Sequence, residues 1–210
     1  MTGHTVASFD EDLNTLDSKI LSMGRLAERH LAAALNGIAQ ASSQQAKLAV
    51  DGDPAIDALQ REIEEYAVRV IARRQPVAID LRTIIGVMRI AGDLERIGDM
   101  AKNIGMSIEN LDESAWASPM TKSLCAMGDM ALWQLETVLD SYSKRDAEIA
   151  LKAWMLDQDI DQQYNSLFRE LLTYMMEDPK TISYAAHLLF CAKNIERVGD
   201  HCTNIAESVS

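Results

Sequence analysis

Carboxylates recur in this chain in two matched sets. Glu95 and Asp99 lie within DLERIGDMAKNI (residues 93–104), and Glu196 and Asp200 within NIERVGDHCTNI (residues 194–205). Superposed at an offset of 101 residues, the two segments share six identical positions: Glu, Arg, Gly, Asp, Asn and Ile. Upstream, Asp53 and Asp57 in DPAID match Asp157 and Asp161 in DQDID at an offset of 104. Side chains at i and i+4 stand one turn apart on the same helix face. Carboxylates held at such range repel and call for a counter-charge. Oxygen-only donors suit hard cations such as Fe(III), Mn(II), Mg(II) or Ca(II). The plainer alternative is a solvated acidic face, with Arg96 and Arg197 neutralising part of it as salt bridges. Gly98 and Gly199, inside the motifs, are read as points of close helix approach.

The repeat sets the architecture that must position these groups. A motif pair found twice, with a small change of offset between its halves, marks two copies of one unit. The copies meet near LDESAWASP, where Pro119 and small polar residues break the pattern, so the units are expected at 1–112 and 113–210. Each unit reads as three helices. Leu13, Leu16, Ile20, Met23 and Ala27 recur at spacings of 3 and 4, as do Ile56, Leu59, Ile63, Tyr66 and Val70. Val87, Ile90, Leu94, Ile97, Ala101, Ile104 and Ile108 form a third seam, echoed by Leu188, Cys191, Ile195, Val198, Cys202, Ile205 and Val209. Such seams bury one stripe of each helix. Breaks are predicted at AQASS (39–43), RRQP (73–76), SYSK (141–144) and MEDP (176–179). Short connections imply antiparallel neighbours. The fold class is therefore all-α, two tandem, pseudo-repeated three-helix bundles.

The hairpins bring the carboxylates together. The midpoint between the Asp53/Asp57 and Glu95/Asp99 pairs falls at Pro76, and that between the second-unit pairs falls beside Pro179. Positions equidistant from the turn of an antiparallel helix pair sit at one height. Each unit should thus group four acidic side chains. With Leu94 and Ile97 facing the core, Glu95 and Asp99 are expected to point outward, with Asn103 extending the strip. Asp53 and Asp57 are expected off the Ile56/Ile63 seam. Pro54, directly after Asp53, is expected to start or bend a helix there with Asp53 as N-cap.

Composition narrows the function classes. The 210 residues are 48% apolar with 4 Pro, 10 Gly and 5% aromatics, which disfavours β sandwiches and barrels. The net charge of −12 repels phosphate backbones and anionic lipid, so neither nucleic acid nor a bare membrane surface is an expected partner. Cys125, Cys191 and Cys202 make no CxxC pair, as in a reducing cytosol, and Cys191 and Cys202 fall on a core seam. MTGHTVASFDEDL has neither the basic nor the apolar region of a signal peptide, and no run approaches the ~18 apolar residues of a membrane span. His201, beside Asp200, is an auxiliary ligand candidate; His30 reads as a packing residue, and His4 and His187 carry no signal. Glu-x-x-His is absent, which excludes the ferritin-like di-iron pattern. Phosphate-cradling glycine loops are absent as well. The reading is against an enzyme.

The pairing of DPAID with DLERIGD, and of DQDID with NIERVGD, resembles the PhoU family of phosphate-signalling proteins. RRQP followed by an apolar helix ending ERIGDMAKNI carries the same resemblance, which runs from about residue 9 to 208. It implies two similar three-helix bundles with surface metal clusters, of iron or zinc, held by the paired motifs. The ligands so implied are Asp53, Asp57, Glu95 and Asp99 in one unit and Asp157, Asp161, Glu196 and Asp200 in the other, with Asn103 and Asn204 lining the sites. It further implies a cytoplasmic homodimer that represses the phosphate-starvation response and restrains phosphate uptake. Its partners would be the ATPase of a Pst-type phosphate ABC transporter and a PhoR-type sensor histidine kinase, and only through them would it lie at the membrane. The second unit has MEDP where the first has RRQP, so Arg73 and Arg74 are not duplicated. Two other readings compete with this one: a metal-storage protein or metalloenzyme, and a metal-free helical scaffold.

Overall fold

A computed structural model describes residues 2–109 and 119–209. The expected unit boundary between 112 and 113 lies outside the described residues. Six long helices follow in order: α1 Thr2–Gln40, α2 Ser43–Arg74, α3 Ile79–Glu109, α4 Pro119–Lys144, α5 Ala147–Glu177 and α6 Ile182–Val209. A single 3-10 turn, Pro179–Thr181, precedes α6, and no strand occurs among the described residues. Local chemistry fixes the ends. The Ser42 hydroxyl accepts from Gln45 N–H and caps α2, while Asp146 accepts from the Glu148 and Ile149 amides and caps α5. Gln75 closes α2 in the left-handed region, with φ of 50°, and returns its N–H to the Ile71 carbonyl.

Two of the expected boundaries shift. SYSK continues α4 to Lys144 rather than breaking it. Pro54 lies inside α2, eleven residues after Ser43, so Asp53 is not an N-cap. The ring removes one amide donor, yet Ala49, Asp53 and Ile56 on either side are buried and hold the helix to its neighbours.

The seams pack as their spacing predicts. Leu16, Ile20, Met23 and Ala27 of α1 are fully buried, and so are Leu94, Ile97, Ala101 and Ile104 of α3. Each fully buried Ile or Leu contributes about 1.5–3 kcal/mol of hydrophobic stabilisation. Cys191 and Cys202 are buried in α6, and burial pushes the Cys191 thiol up to about 12.

Within each unit the three helices pack on one another, and the units meet through α3 against α6 and α1 against α4. The contact is a pseudo-twofold one. Asn204 Nδ2 donates to Asp93 Oδ1 at 3.2 Å, and Asn103 Nδ2 donates to Asn194 Oδ1 at 3.5 Å. These join the same two repeat positions in reversed order. Likewise a methyl group on Gly24 would run into Leu139, and one on Gly128 into Leu35, the equivalent pair. A single apolar cluster runs through both bundles.

Candidate functional site

Asp53 precedes Ile56 by three residues on α2, and helical periodicity places it on the buried stripe, at 7% exposure. This corrects the expectation that it lies off the Ile56/Ile63 seam. Asp57, Glu95 and Asp99 are half-buried rather than fully outward. In the second unit Asp157 and Glu196 are half-buried, while Asp161 and Asp200 are exposed. The hairpin register matches expectation. A methyl on Gly98 would stand 2.6 Å from Ile56 Cδ1, and one on Gly199 would stand 2.8 Å from Asp157 Oδ1. Both motif glycines therefore permit close approach of paired helices.

Three carboxylates of the first unit act on Glu95, and two of the second act on Asp157. Burial pushes the Glu95 carboxyl up, and the charges of Asp99, Asp57 and Asp53 push the same way against Arg96. Burial likewise raises Asp157, reinforced by Asp161 and Asp200 and opposed by the polar side chains of Gln134 and Thr203. An acidic rung thus runs across α2 and α3 in the first bundle, and Asp157, Asp161 and Asp200 form its counterpart across α5 and α6 in the second.

The rungs differ in their counter-charges. In the first, Lys102 Nζ lies 2.6 Å from Asp53 Oδ2 and 3.6 Å from Asp99 Oδ1, joining α3 to α2. Arg96 stands 3.5 Å from both Glu95 and Asp99 at the solvent edge. In the second, Lys193 pairs with Glu196 on its own helix and lies 5.3 Å from the centre of the Tyr164 ring. The position equivalent to Lys102 is Thr203, whose side chain, with that of Gln134, interacts with Asp157 and offsets part of the rise of its carboxyl. Gln134, fully buried on α4, donates to the Ala153 and Gly199 carbonyls and leaves its Oε1 unpartnered. That oxygen would lie 3.2 Å from a methyl on Gly199.

All eight residues named from the sequence are carboxylates, a chemistry that suits hard cations. As arranged here, however, no group of three or more His, Cys, Asp or Glu side chains among the described residues is set to hold a metal ion. His201 does not join the second rung. Its Nδ1 is 2.9 Å from Asp93 Oδ1, across the seam between the units. Asn204 and Asn103 bond across the same seam. A surface groove beside the first rung, of about 640 Å³, is lined in part by Arg89, Asp93, Glu95, Arg96 and His201.

Lys102, Gln134, Thr203 and Asp93 were not singled out from the sequence. The i, i+3 spacing of Asp99 and Lys102 was a usable signal for one of these contacts. The other partners lie on different helices, and sequence spacing does not reach them. No helix among the described residues is long and apolar enough to cross a membrane.

The PhoU domain family matches this chain twice, at residues 20–108 and 124–209. A phosphate-specific transport system accessory protein PhoU homolog of Caulobacter vibrioides is 47% identical over 209 residues, covering 100% of this chain and 91% of the relative. The phosphate-specific transport system accessory protein PhoU of Escherichia coli K12 is 35% identical over 207 residues, covering 98% of this chain and 85% of the relative. The crystal structure of PhoU from Pseudomonas aeruginosa superposes with a TM-score of 0.92 at 37% identity, covering 96% of each chain. That of the phosphate transport system regulatory protein PhoU from Streptococcus pneumoniae superposes with a TM-score of 0.88 at 30% identity, covering 96% of this chain and 94% of that one. With its repeated acidic motifs, its two matched bundles and its full-length likeness to these proteins, the chain belongs to the PhoU domain family.

Proposed function

We propose that this chain is a cytoplasmic negative regulator of the phosphate-starvation response and of phosphate uptake. It links the ATPase of a Pst-type phosphate ABC transporter to a PhoR-type sensor histidine kinase. It acts by docking rather than by catalysis, as a homodimer, and reaches the membrane only through its partners. The observation that carries this reading is the end-to-end likeness to named phosphate-transport accessory and regulatory proteins, across both copies of the domain.

Surface chemistry supports a docking role. The outward face of α5 carries Leu151, Trp154, Met155, Phe168, Leu172 and Met176, all exposed. The equivalent positions of α2 are Lys47, Val50, Asp51, Glu64, Val68 and Ala72. Exposed apolar residues gathered on one helix face mark an interaction surface. The net charge of −12 argues against a nucleic-acid target. The acidic rungs, Asp53, Asp57, Glu95 and Asp99 with Asp157, Asp161, Glu196 and Asp200, are the donors we assign to metal ions, of iron, zinc or a harder cation, that shape the docking surface. Oxygen-only chemistry and the mutual repulsion felt at Glu95 and Asp157 support that assignment.

The test is genetic. Deleting the gene should raise transcription of phosphate-starvation genes in cells grown with ample phosphate. Unchanged transcription under that condition rejects the regulatory role. Co-purification of the native protein from the same cells should recover the transporter ATPase and the kinase.

A further inference from the structure

Helix α5 packs chiefly against α4 and α6 and leaves its third face open. On that face Leu151, Trp154 and Met155 form one apolar patch, and Phe168, Leu172 and Met176 form another. Met155 is 61% exposed and Met176 85%. Trp154 and Phe168 are about four helical turns apart, so the two patches lie on one line along the helix. From Leu151 to Met176 that line runs about 37 Å at the helical rise. The same helix is acidic. It carries six carboxylates against two cations, Lys152 and Arg169, whereas α2, its equivalent in the first unit, carries six against five. By helical spacing, Glu148, Asp159, Glu170 and Glu177 follow one border of the apolar stripe, and Asp157 and Asp161 the other. Lys152 shares the first border and Arg169 lies within the stripe, so carboxylate remains in excess on both sides. Glu148, Asp159, Asp161, Glu170 and Glu177 are exposed, and none of them forms an ion pair among the described residues.

We propose that the open face of α5 docks one amphipathic, basic helix of a partner protein, with the partner's apolar stripe on Trp154 and Leu172 and its Lys and Arg side chains at the two acidic borders. This rests on the docking role proposed above and names the chemistry of the segment that is docked. Charge decides among the occupants. Nucleic acid and anionic lipid are repelled by the borders. A second copy of this chain would lay acidic border against acidic border, and like charges across an interface disfavour it. A helix that is apolar on one side and cationic on its flanks meets both the stripe and the borders. Met155 and Met176 suit the task, since an unbranched thioether side chain adapts to the shape it meets. The equivalent face of α2 does not offer such a stripe, because Lys47, Asp51 and Glu64 stand at the positions of Leu151, Met155 and Phe168. The chain therefore has one such site rather than two.

The probe is a fluorescein-labelled peptide of Leu and Lys with a single apolar stripe, about 20 residues and so about 30 Å long as a helix, titrated with full-length protein and read by anisotropy. It should bind, and affinity should fall about tenfold or more, the scale of one lost anchor residue, for a scrambled peptide of the same composition and for a peptide with Glu in place of Lys. Trp154→Ser/Leu172→Ser/Met176→Ser should lose as much while keeping its melting temperature, because these side chains are exposed. Trp154→Ser alone serves if the triple variant does not fold. Glu170→Lys/Glu177→Lys should weaken binding and flatten its salt dependence, whereas Val68→Ser on α2 should change nothing. No binding of the patterned peptide, equal binding of the scrambled one, or unchanged binding by the triple variant overturns the proposal. So does a homodimer that the triple variant splits in sedimentation, since a second copy then occupies the face. In cells whose phosphate-starvation genes rise on deletion of this gene, the triple variant should fail to restore repression. Full repression by it overturns the α5 site and leaves the regulatory role standing.

Discussion

Lys102 Nζ lies 2.6 Å from Asp53 Oδ2 and is the bond that ties the motif helix α3 to its hairpin partner α2. Neither residue is on the other's helix, and Asp53 is the more buried of the two. Lys102→Ala should therefore destabilise the protein through the carboxylate left behind, by about 1–2 kcal/mol. Lys102→Ala combined with Asp53→Asn should cost less than the sum of the single changes. Denaturant unfolding of the four proteins in chelator measures the coupling, and strict additivity would show that the pair contributes nothing.

Glu95 and Asp157 should each withdraw stability as pH rises through the acid range. Glu95 and Asp157 have native pKa values raised above the ordinary 4.5 and 3.8, chiefly by burial. Below those ordinary values both folded and unfolded chains are protonated and no penalty exists. The penalty grows as pH rises past them and is complete above the raised native values. Glu95→Gln or Asp157→Asn should thus raise the melting temperature at pH 7 by roughly 2–4 °C, as about 1 kcal/mol does for a chain of this size, with the gain vanishing near pH 4. Calorimetry at the two pH values checks it.

Arg74 of the RRQP segment is a staple between helices. Its guanidinium lies 2.9 Å from Asp12 Oδ2 on α1 and donates to the Ser8 carbonyl at 3.2 Å, while Tyr66 donates to the other Asp12 oxygen at 2.8 Å. Burial pushes the Asp12 carboxyl up, but Tyr66, Arg74 and Arg73 more than reverse this and hold it below its ordinary value. Its contribution is present above pH 3.8 and lost as pH falls through the lowered native value. Arg74→Ala should cost about 2–3 kcal/mol at neutral pH by leaving a buried carboxylate short of its partner. A loss below 0.5 kcal/mol by chemical denaturation would contradict the staple, that being about the effect of an ordinary surface change.

Two glycines of α3 should respond oppositely to alanine. A methyl on Gly105 would meet the Ala46 carbonyl oxygen at 2.7 Å, a backbone atom that cannot rotate away. A methyl on Gly86 would meet nothing within 4 Å. Gly86→Ala should stabilise by roughly 0.5–1 kcal/mol through helix propensity. Gly105→Ala should destabilise by about 1–3 kcal/mol as α2 is forced off α3. Thermal melts of the two variants suffice.

The six helices were legible because apolar spacing at 3 and 4 residues, as in Val87–Ile90–Leu94–Ile97, depends on local periodicity alone. The repeat and the turn positions made the register of Glu95 and Asp99 against Asp53 and Asp57 legible too, because a hairpin maps sequence distance onto height. Pro54 misled, since the cost of one missing amide is smaller than the burial of α2 on either side of it.

What sequence by itself determined, then, is the helical architecture, its duplication and the height at which the carboxylates stack. Tertiary structure decided their depth and their company. Whether Asp53 is buried beside Lys102, whether His201 turns to Asp93, and whether Gln134 is buried against the Ala153 and Gly199 carbonyls depend on helices that are distant in the chain and adjacent in space. Periodicity names the face of each helix, but only packing sets which neighbouring charge or hydroxyl that face meets, and that meeting gives two nearly identical motifs different surroundings.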